Sequence, residues 1–215
     1  MPHKLKAILL DMDGTLVDAF APIVRAMKQT LHEFGLPDLS EREIRRHTGK
    51  GDCSMSKLFG AQKETATQRF MQIHDEDYIT GISPLAGAEQ LLHRLQRQNI
   101  PVAIVTSKGQ QRAEEQLQHF GWLDGIDVVI GKVEGRASKP DPTPLLLACS
   151  MLGIPPQHSI MIGDGLADMQ AAVRAQTYAA GLTFSFTREE LMEAGAHATF
   201  SDLTEVDSWL QTQIR

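Results

Sequence analysis

The sequence predicts an α/β fold: a doubly wound parallel sheet with an all-helical domain inserted near its start. Two observations predict it. Short apolar runs of strand length alternate with amphipathic helical stretches over the larger part of the chain, the pattern of a parallel sheet with helices on both faces. In addition, about seventy residues separate the first apolar run from the helix that should return the chain to the sheet, where a crossover needs only a dozen or so beyond its strand. The surplus must be an insertion.

The elements follow in order. "KAILLD" (6–11) reads as a buried strand, because it is apolar throughout and stops in acid. Residues 17–82 read as the helical insertion. Ile23, Met27, Leu31 and Phe34 share one helical face, a second long helix is expected over 62–79, and no strand is expected between them. The chain crosses into and out of the insertion through "LVDA" (16–19) and "TGISPLAG" (80–87), whose Gly and Pro residues suit a hinge. Helix and strand then alternate. Leu91, Leu92 and Leu95 mark a helix in "GAEQLLHRLQRQN" (87–99), "PVAIVTS" (101–107) a strand, and Ala113, Leu117 and Phe120 the next helix. "IDVVIG" (126–131) is a strand, Leu145, Leu146 and Leu147 lie on a helix after "KPDPTP", and "HSIMIGD" (158–164) and "TYAAGLT" (177–183) are strands. The expected organisation is a Rossmann-like core from 1–16 and 83–215 and a helical domain at 17–82.

Bulk properties narrow the function. With 42% hydrophobic and 22% charged residues the chain is ordinary globular material. A net charge of -6 argues against a nucleic-acid partner or an anionic membrane surface, which need a local excess of Lys and Arg. Cys53 and Cys149 stand in no metal-ligand spacing, and the N-terminal run "AILL" is too short for a signal or a membrane span. A cytoplasmic protein, monomer or homodimer, acting on a small molecule is expected.

In open parallel sheets, ligands bind beyond the carboxyl ends of the strands. The polar residues there are Asp11 and Asp13 after the first strand, Thr106 and Ser107 after the second, and Asp164 and Asp168 after the fourth, with Lys139 opening a helix just upstream. Carboxylates, hydroxyls and a lysine at one rim suit a divalent metal and a phosphoryl group, and Mg²⁺ favours such oxygen ligands. Asp11 and Asp13 fall on the same side of an extended chain, and Gly14 lets the backbone turn away at once. A calcium loop is a poor match, because Thr15, Leu16 and Pro22 occupy positions that such a loop reserves for an acid, a glycine and a glutamate. Singly, Asp164 or Thr106 reads as a helix cap and Lys139 as a solvated lysine. Joint occurrence at one sheet edge is what lifts them.

The motifs "DMDGTLVD" (11–18), "VTSKG" (105–109), "SKPDPTP" (138–144) and "IGDGLADMQAA" (162–172), with "SPLAGAEQLLHRL" (83–95) after the insertion, resemble the haloacid dehalogenase superfamily, in particular its phosphoglycolate-phosphatase-like branch with a helical cap. The resemblance spans nearly the whole chain; Gly165 departs from it, where many relatives carry Ser or Thr. It implies a Mg²⁺-dependent phosphatase acting on a small phosphorylated metabolite, phosphoglycolate-like or a sugar phosphate. Asp11 would be the nucleophile that forms an aspartyl-phosphate, and Asp13 the general acid and base. Asp11, the carbonyl of Asp13, and Asp164 would hold the metal, Thr106, Ser107 and Lys139 the phosphoryl oxygens, and Asp168 would orient Lys139 or a metal water. An acid at Asp13 favours phosphate esters over carbon–halogen bonds, since a halide needs no proton.

Substrate choice is expected in the insertion, at "RRHTGKGDCS" (45–54), with Lys50 and one of its arginines on an anionic or polar substrate group. The run "HDEDY" (74–78) is expected to be an exposed, acidic helix end. Three other classes share the core chemistry: a phosphosugar mutase, a phosphorelay receiver domain and a catalytically silent binding module.

Overall fold

The computed structural model describes residues 4–48 and 55–214. Lys50 and Cys53 therefore lie outside the described residues.

Six parallel strands form the central sheet: β1 (Ala7–Leu10), β4 (Val102–Gly109), β5 (Val128–Lys132), β6 (Ser159–Gly163), β7 (Tyr178–Leu182) and β8 (Ala198–Phe200), in the order β5-β4-β1-β6-β7-β8. The first strand of the chain is thus interior, with β4 on one side and β6 on the other. All four of its residues are buried, which is why it reads as an unbroken apolar run. Its side chains alternate between two cores. Ile8 and Leu10 join Leu91, Leu95 and Leu117, from α4 (Ala88–Arg97) and α5 (Gln110–His119), and Leu203 and Leu210 from α9 (Leu203–Gln213). Leu9 joins Leu145, Met169 and Leu191, from α6 (Thr143–Leu152), α7 (Leu166–Ala175) and α8 (Arg188–Glu193). Helices therefore cover both faces.

Between the sheet's first strand and α4 the chain is mainly helical: α1 (Phe20–Glu33), α2 (Glu41–Thr48), a 3-10 segment (Ser56–Gln62) and α3 (Lys63–His74). Ile23, Met27 and Leu31 lie buried on one face of α1, and Phe34, just past its end, packs on the same cluster. Two expectations are corrected here. The second helix is shorter than 62–79, because past His74 the chain tightens into turns that run to Gly81. The crossing segments also pair as a two-residue antiparallel ladder, β2 (Val17–Asp18) with β3 (Ser83–Pro84), although no strand was expected in this region. The reading stopped short of β8, whose three half-buried residues form no apolar run, and of α8 and α9. Among the described residues no helix is long and apolar enough to cross a membrane.

Leu10 is fully buried at the centre of the larger core. Leu10→Ala is expected to lower the unfolding free energy by about 2–5 kcal/mol, read as a lower midpoint in urea with unchanged slope.

Candidate active site

The carboxyl edge of the sheet is built around two close backbone approaches. After β1 the chain turns back at once, with the Met12 carbonyl accepting from the amides of Leu16 and Val17. Gly14 stands inside this turn with φ +81°, and a Cβ there would lie 2.4 Å from Asp164 Oδ2. At the end of β6, a Cβ on Gly163 would lie 2.3 Å from Asp168 Oδ2. Both positions exclude any larger residue because a buried carboxylate fills the space.

Asp11, Asp164 and Asp168 are all buried, and each offers a carboxylate oxygen within 4.8 Å of the others. Lys139 enters among them. Its Nζ donates to Asp11 Oδ1 at 2.8 Å and to the Val105 carbonyl at 2.7 Å, and sits 2.6 Å from Asp168 Oδ1. Asp168 also accepts from the Gly165 amide at 2.9 Å, and the Ser185 hydroxyl donates to Asp164 Oδ2. Burial works against the charge on Lys139, but the carboxylates of Asp11 and Asp168 outweigh it and hold its pKa above the ordinary lysine value. Burial pushes Asp164 well above the usual carboxylate range, with the negative charge of Asp11 adding to the effect. Asp168 is pushed up by burial to about 6, although Lys139 draws it down. One ammonium against three carboxylates leaves the cluster with excess negative charge. A divalent cation fits such a donor set.

The expected residues therefore meet. Asp13 faces the same space, with Lys108 Nζ 2.7 Å from its Oδ1. Thr106 and Ser107, on β4, line it as well, and the Thr106 hydroxyl accepts from the Lys108 amide at 3.2 Å. Lys50 is the expected residue that lies outside the described residues. Two partners in the site carried no sequence signal of their own: Lys108, which sits inside a quoted motif, and Ser185, which follows β7.

Over this edge lies a cavity of about 720 Å³, also lined by residues of α1, the 3-10 segment and α3. The two arginines of the 45–54 stretch, one of which was expected to meet substrate, make the following contacts. Arg46 forms a two-point ion pair with Glu190 of α8, at 3.0 and 2.5 Å, and lies over the ring of Phe186; Arg45 lies over the rings of Phe20 and Phe184. The reading of 74–78 as an exposed acidic end holds for Asp75 and Glu76, which are exposed, but the run also has specific partners. His74 is buried, Asp75 pairs with Arg112 of α5, Glu76 and Asp77 pair with Arg25 of α1, and the Tyr78 hydroxyl donates to Glu115. The run joins the helical segment to the sheet domain through Asp75 with Arg112 and Tyr78 with Glu115, while Glu76 and Asp77 pair within the helical segment, with Arg25.

Comparisons with known proteins agree with this architecture. A family model described as haloacid dehalogenase-like hydrolase matches residues 8–182. The phosphoglycolate phosphatase of Rhodospirillum rubrum is 31% identical, over 95% of this chain and 90% of that protein. The N-acetylmuramic acid 6-phosphate phosphatase of Pseudomonas aeruginosa is 33% identical, over 87% and 85%. The crystal structure of a hydrolase from Pseudomonas syringae superposes with a TM-score of 0.83 at 27% identity, covering 98% of this chain and all of that one (100%).

Replacing Lys139 with Met strands three buried carboxylates. Lys139→Met is expected to cost about 3–5 kcal/mol of stability at pH 8. Without the ammonium, Asp168, already raised to about 6 with Lys139 beside it, binds its proton more tightly still in the folded chain, so the deficit should shrink as pH falls from 8 toward about 6. Urea unfolding at pH 8 and pH 5.5 checks both the loss and its sign.

Proposed function

The chain belongs to the haloacid dehalogenase-like hydrolases and hydrolyses phosphate esters, and from that premise we propose that it is a Mg²⁺-dependent phosphatase of small phosphate monoesters that carries the phosphoryl group on Asp11. One observation supports this above the rest: Asp11 and Asp13 after β1, Thr106 on β4, Asp164 after β6 and Lys139 ahead of α6 all line one cavity.

In this reading Asp11 is the nucleophile. Its carboxylate attacks phosphorus as the bond to the leaving oxygen breaks, giving an aspartyl-phosphate. Asp13, two residues on and facing the same cavity, gives its proton to the departing alkoxide. It then takes a proton from the water that attacks phosphorus, and phosphate leaves with Asp11 restored. Thr106, Ser107 and Lys139 hold the phosphoryl oxygens, Lys139 as a point charge. Asp11, Asp164 and the Asp13 carbonyl would hold the Mg²⁺, with Asp168 orienting Lys139. When bound, the metal neutralises charge on the transferring group.

Residues 17–82 act as a cap over a core formed by 1–16 and 83–215. Closing it excludes water and brings leaving-group contacts to the site. The paired segments β2 and β3 are the natural hinge, since they are the two strands on which the chain enters and leaves the cap. The relatives named above act on phosphoglycolate and on N-acetylmuramic acid 6-phosphate, leaving groups of very different size.

Phosphate release from a panel of monoesters, with Mg²⁺ and with chelator, tests the chemistry. The native chain should turn over many times with Mg²⁺, and Asp11→Asn should reduce the rate by at least about a thousandfold, as expected when a nucleophile is lost; full activity in Asp11→Asn would overturn the reading. Mg²⁺ should also raise the melting temperature. Metal binding needs ionised ligands, and burial holds Asp164 well above the usual carboxylate range, so the Mg²⁺-induced rise should be largest at high pH and fade as pH falls. A rise independent of pH would count against ligation by this cluster.

A further inference from the structure

The mechanism above uses Asp164 and leaves Ser185, a residue that holds it, without a role. Ser185 is buried in the turn after β7, and its hydroxyl donates to Asp164 Oδ2. Gly14 confines the same carboxylate, since a Cβ there would lie 2.4 Å from Oδ2 and 2.8 Å from Oδ1. Asp164 therefore keeps one orientation for as long as Ser185 keeps its place. Hydrogen-bond partners that orient a ligand carboxylate in this way set how well it holds a metal.

What touches the turn comes from the helical segment. Both chain neighbours of Ser185 are aromatic, and each receives an arginine of α2. The Arg46 guanidinium carbon lies 4.6 Å from the ring centre of Phe186, and the same guanidinium pairs at two points with Glu190. The Arg45 guanidinium carbon lies 5.4 Å from the ring centre of Phe184 and 4.7 Å from that of Phe20 in α1, and the two rings are 5.8 Å apart. An open crevice of about 530 Å³ runs beside these contacts, lined by Glu41 and Arg42 of α2 and by Thr183 and Thr187. The joint is thus a few guanidinium contacts beside a gap. Such contacts part and re-form without opening either hydrophobic core.

We propose that Ser185 is a positioning residue for Asp164 and that it couples Mg²⁺ binding to the seating of α2 on the turn at 184–186. The inference rests on the reading in which Asp164 holds the metal. With Arg45 and Arg46 on the two rings, the turn keeps Ser185 against Asp164; with α2 lifted, the turn loses those contacts and the hold on the carboxylate loosens. Coupling between two binding events is reciprocal. A helix that favours the metal is therefore favoured by it, and the helical segment settles over a loaded site in preference to an empty one.

The test measures Mg²⁺ binding by calorimetry without substrate, and amide hydrogen exchange over α2 (41–48) with and without Mg²⁺. Ser185→Ala should raise the Kd for Mg²⁺ by about tenfold, the effect of removing a partner of a metal ligand. Arg46→Met, which keeps an apolar stem on Phe186, should raise it by about threefold in the native background and change nothing further beside Ser185→Ala, the non-additivity of a coupled pair. Mg²⁺ should slow exchange over 41–48 in the native chain and not in Ser185→Ala. An unchanged Kd in Ser185→Ala, or an Arg46→Met effect of equal size in both backgrounds, would overturn the inference. If Ser185→Ala does not fold, Arg46→Met decides: a Kd equal to the native one, or native exchange over 41–48 indifferent to Mg²⁺, would overturn it. Asp164→Ala separates the two readings. Mg²⁺ binding lost there but native in Ser185→Ala would remove only the positioning role, while undiminished binding in Asp164→Ala would overturn the metal assignment and this inference together.

Discussion

The carboxyl edge of this sheet depends on one buried ammonium. Three carboxylates from two separate chain segments would repel one another in a space closed to water, and each would carry a desolvation cost of several kcal/mol. Lys139 offsets both. Because β1 lies between β4 and β6, a group reaching Asp11, the Val105 carbonyl and Asp168 touches β1, β4 and the helix after β6 together. The lysine therefore fixes the relative position of three strand ends. It does so with all three of its donors engaged, so its head has one arrangement.

Space is the second constraint. At Gly14 and Gly163 a Cβ would lie within 3 Å of a carboxylate, and a methyl group at either would displace Asp164 or Asp168. Asp164 is further held by Ser185, on the segment whose neighbours Phe184 and Phe186 receive Arg45 and Arg46 of α2. On the other side of the cavity, Gln116 accepts from Lys108 and donates to the Tyr78 carbonyl. The helical segment thus bears on the sheet domain at two points. Each of them is one bond away from a carboxylate of the site.

These couplings explain what was legible in the sequence. Strands that end in Asp11, Thr106 and Asp164 announce themselves locally, because an apolar run stops in a polar residue and a glycine follows close by. Lys108 with Asp13, Ser185 with Asp164 and Arg46 with Glu190 are pairs across folded distance, and no spacing encodes them. The acids of 74–78 look solvated until Arg25 and Arg112 are brought up from other helices. β8 was missed because Ala198, Thr199 and Phe200 are all half-buried at the sheet's edge, where alternation has too few residues to show. α9 did carry a readable start, since Asp202 accepts from the amides of Thr204 and Glu205 as a helix cap does.

The occupied oxygens also separate the roles of the three clustered acids. Asp168 has both oxygens engaged, Oδ1 by Lys139 and Oδ2 by the Gly165 amide. Asp11 has only Oδ1 engaged, by Lys139, and Asp164 only Oδ2, by Ser185, among the described residues. The two oxygens that remain, Asp11 Oδ2 and Asp164 Oδ1, belong to the residues that the family resemblance assigns to the metal. Asp168 is the acid whose geometry is spent on holding Lys139 and the start of α7. That division supports a site in which two carboxylates hold the cation and the third keeps the lysine from neutralising them completely.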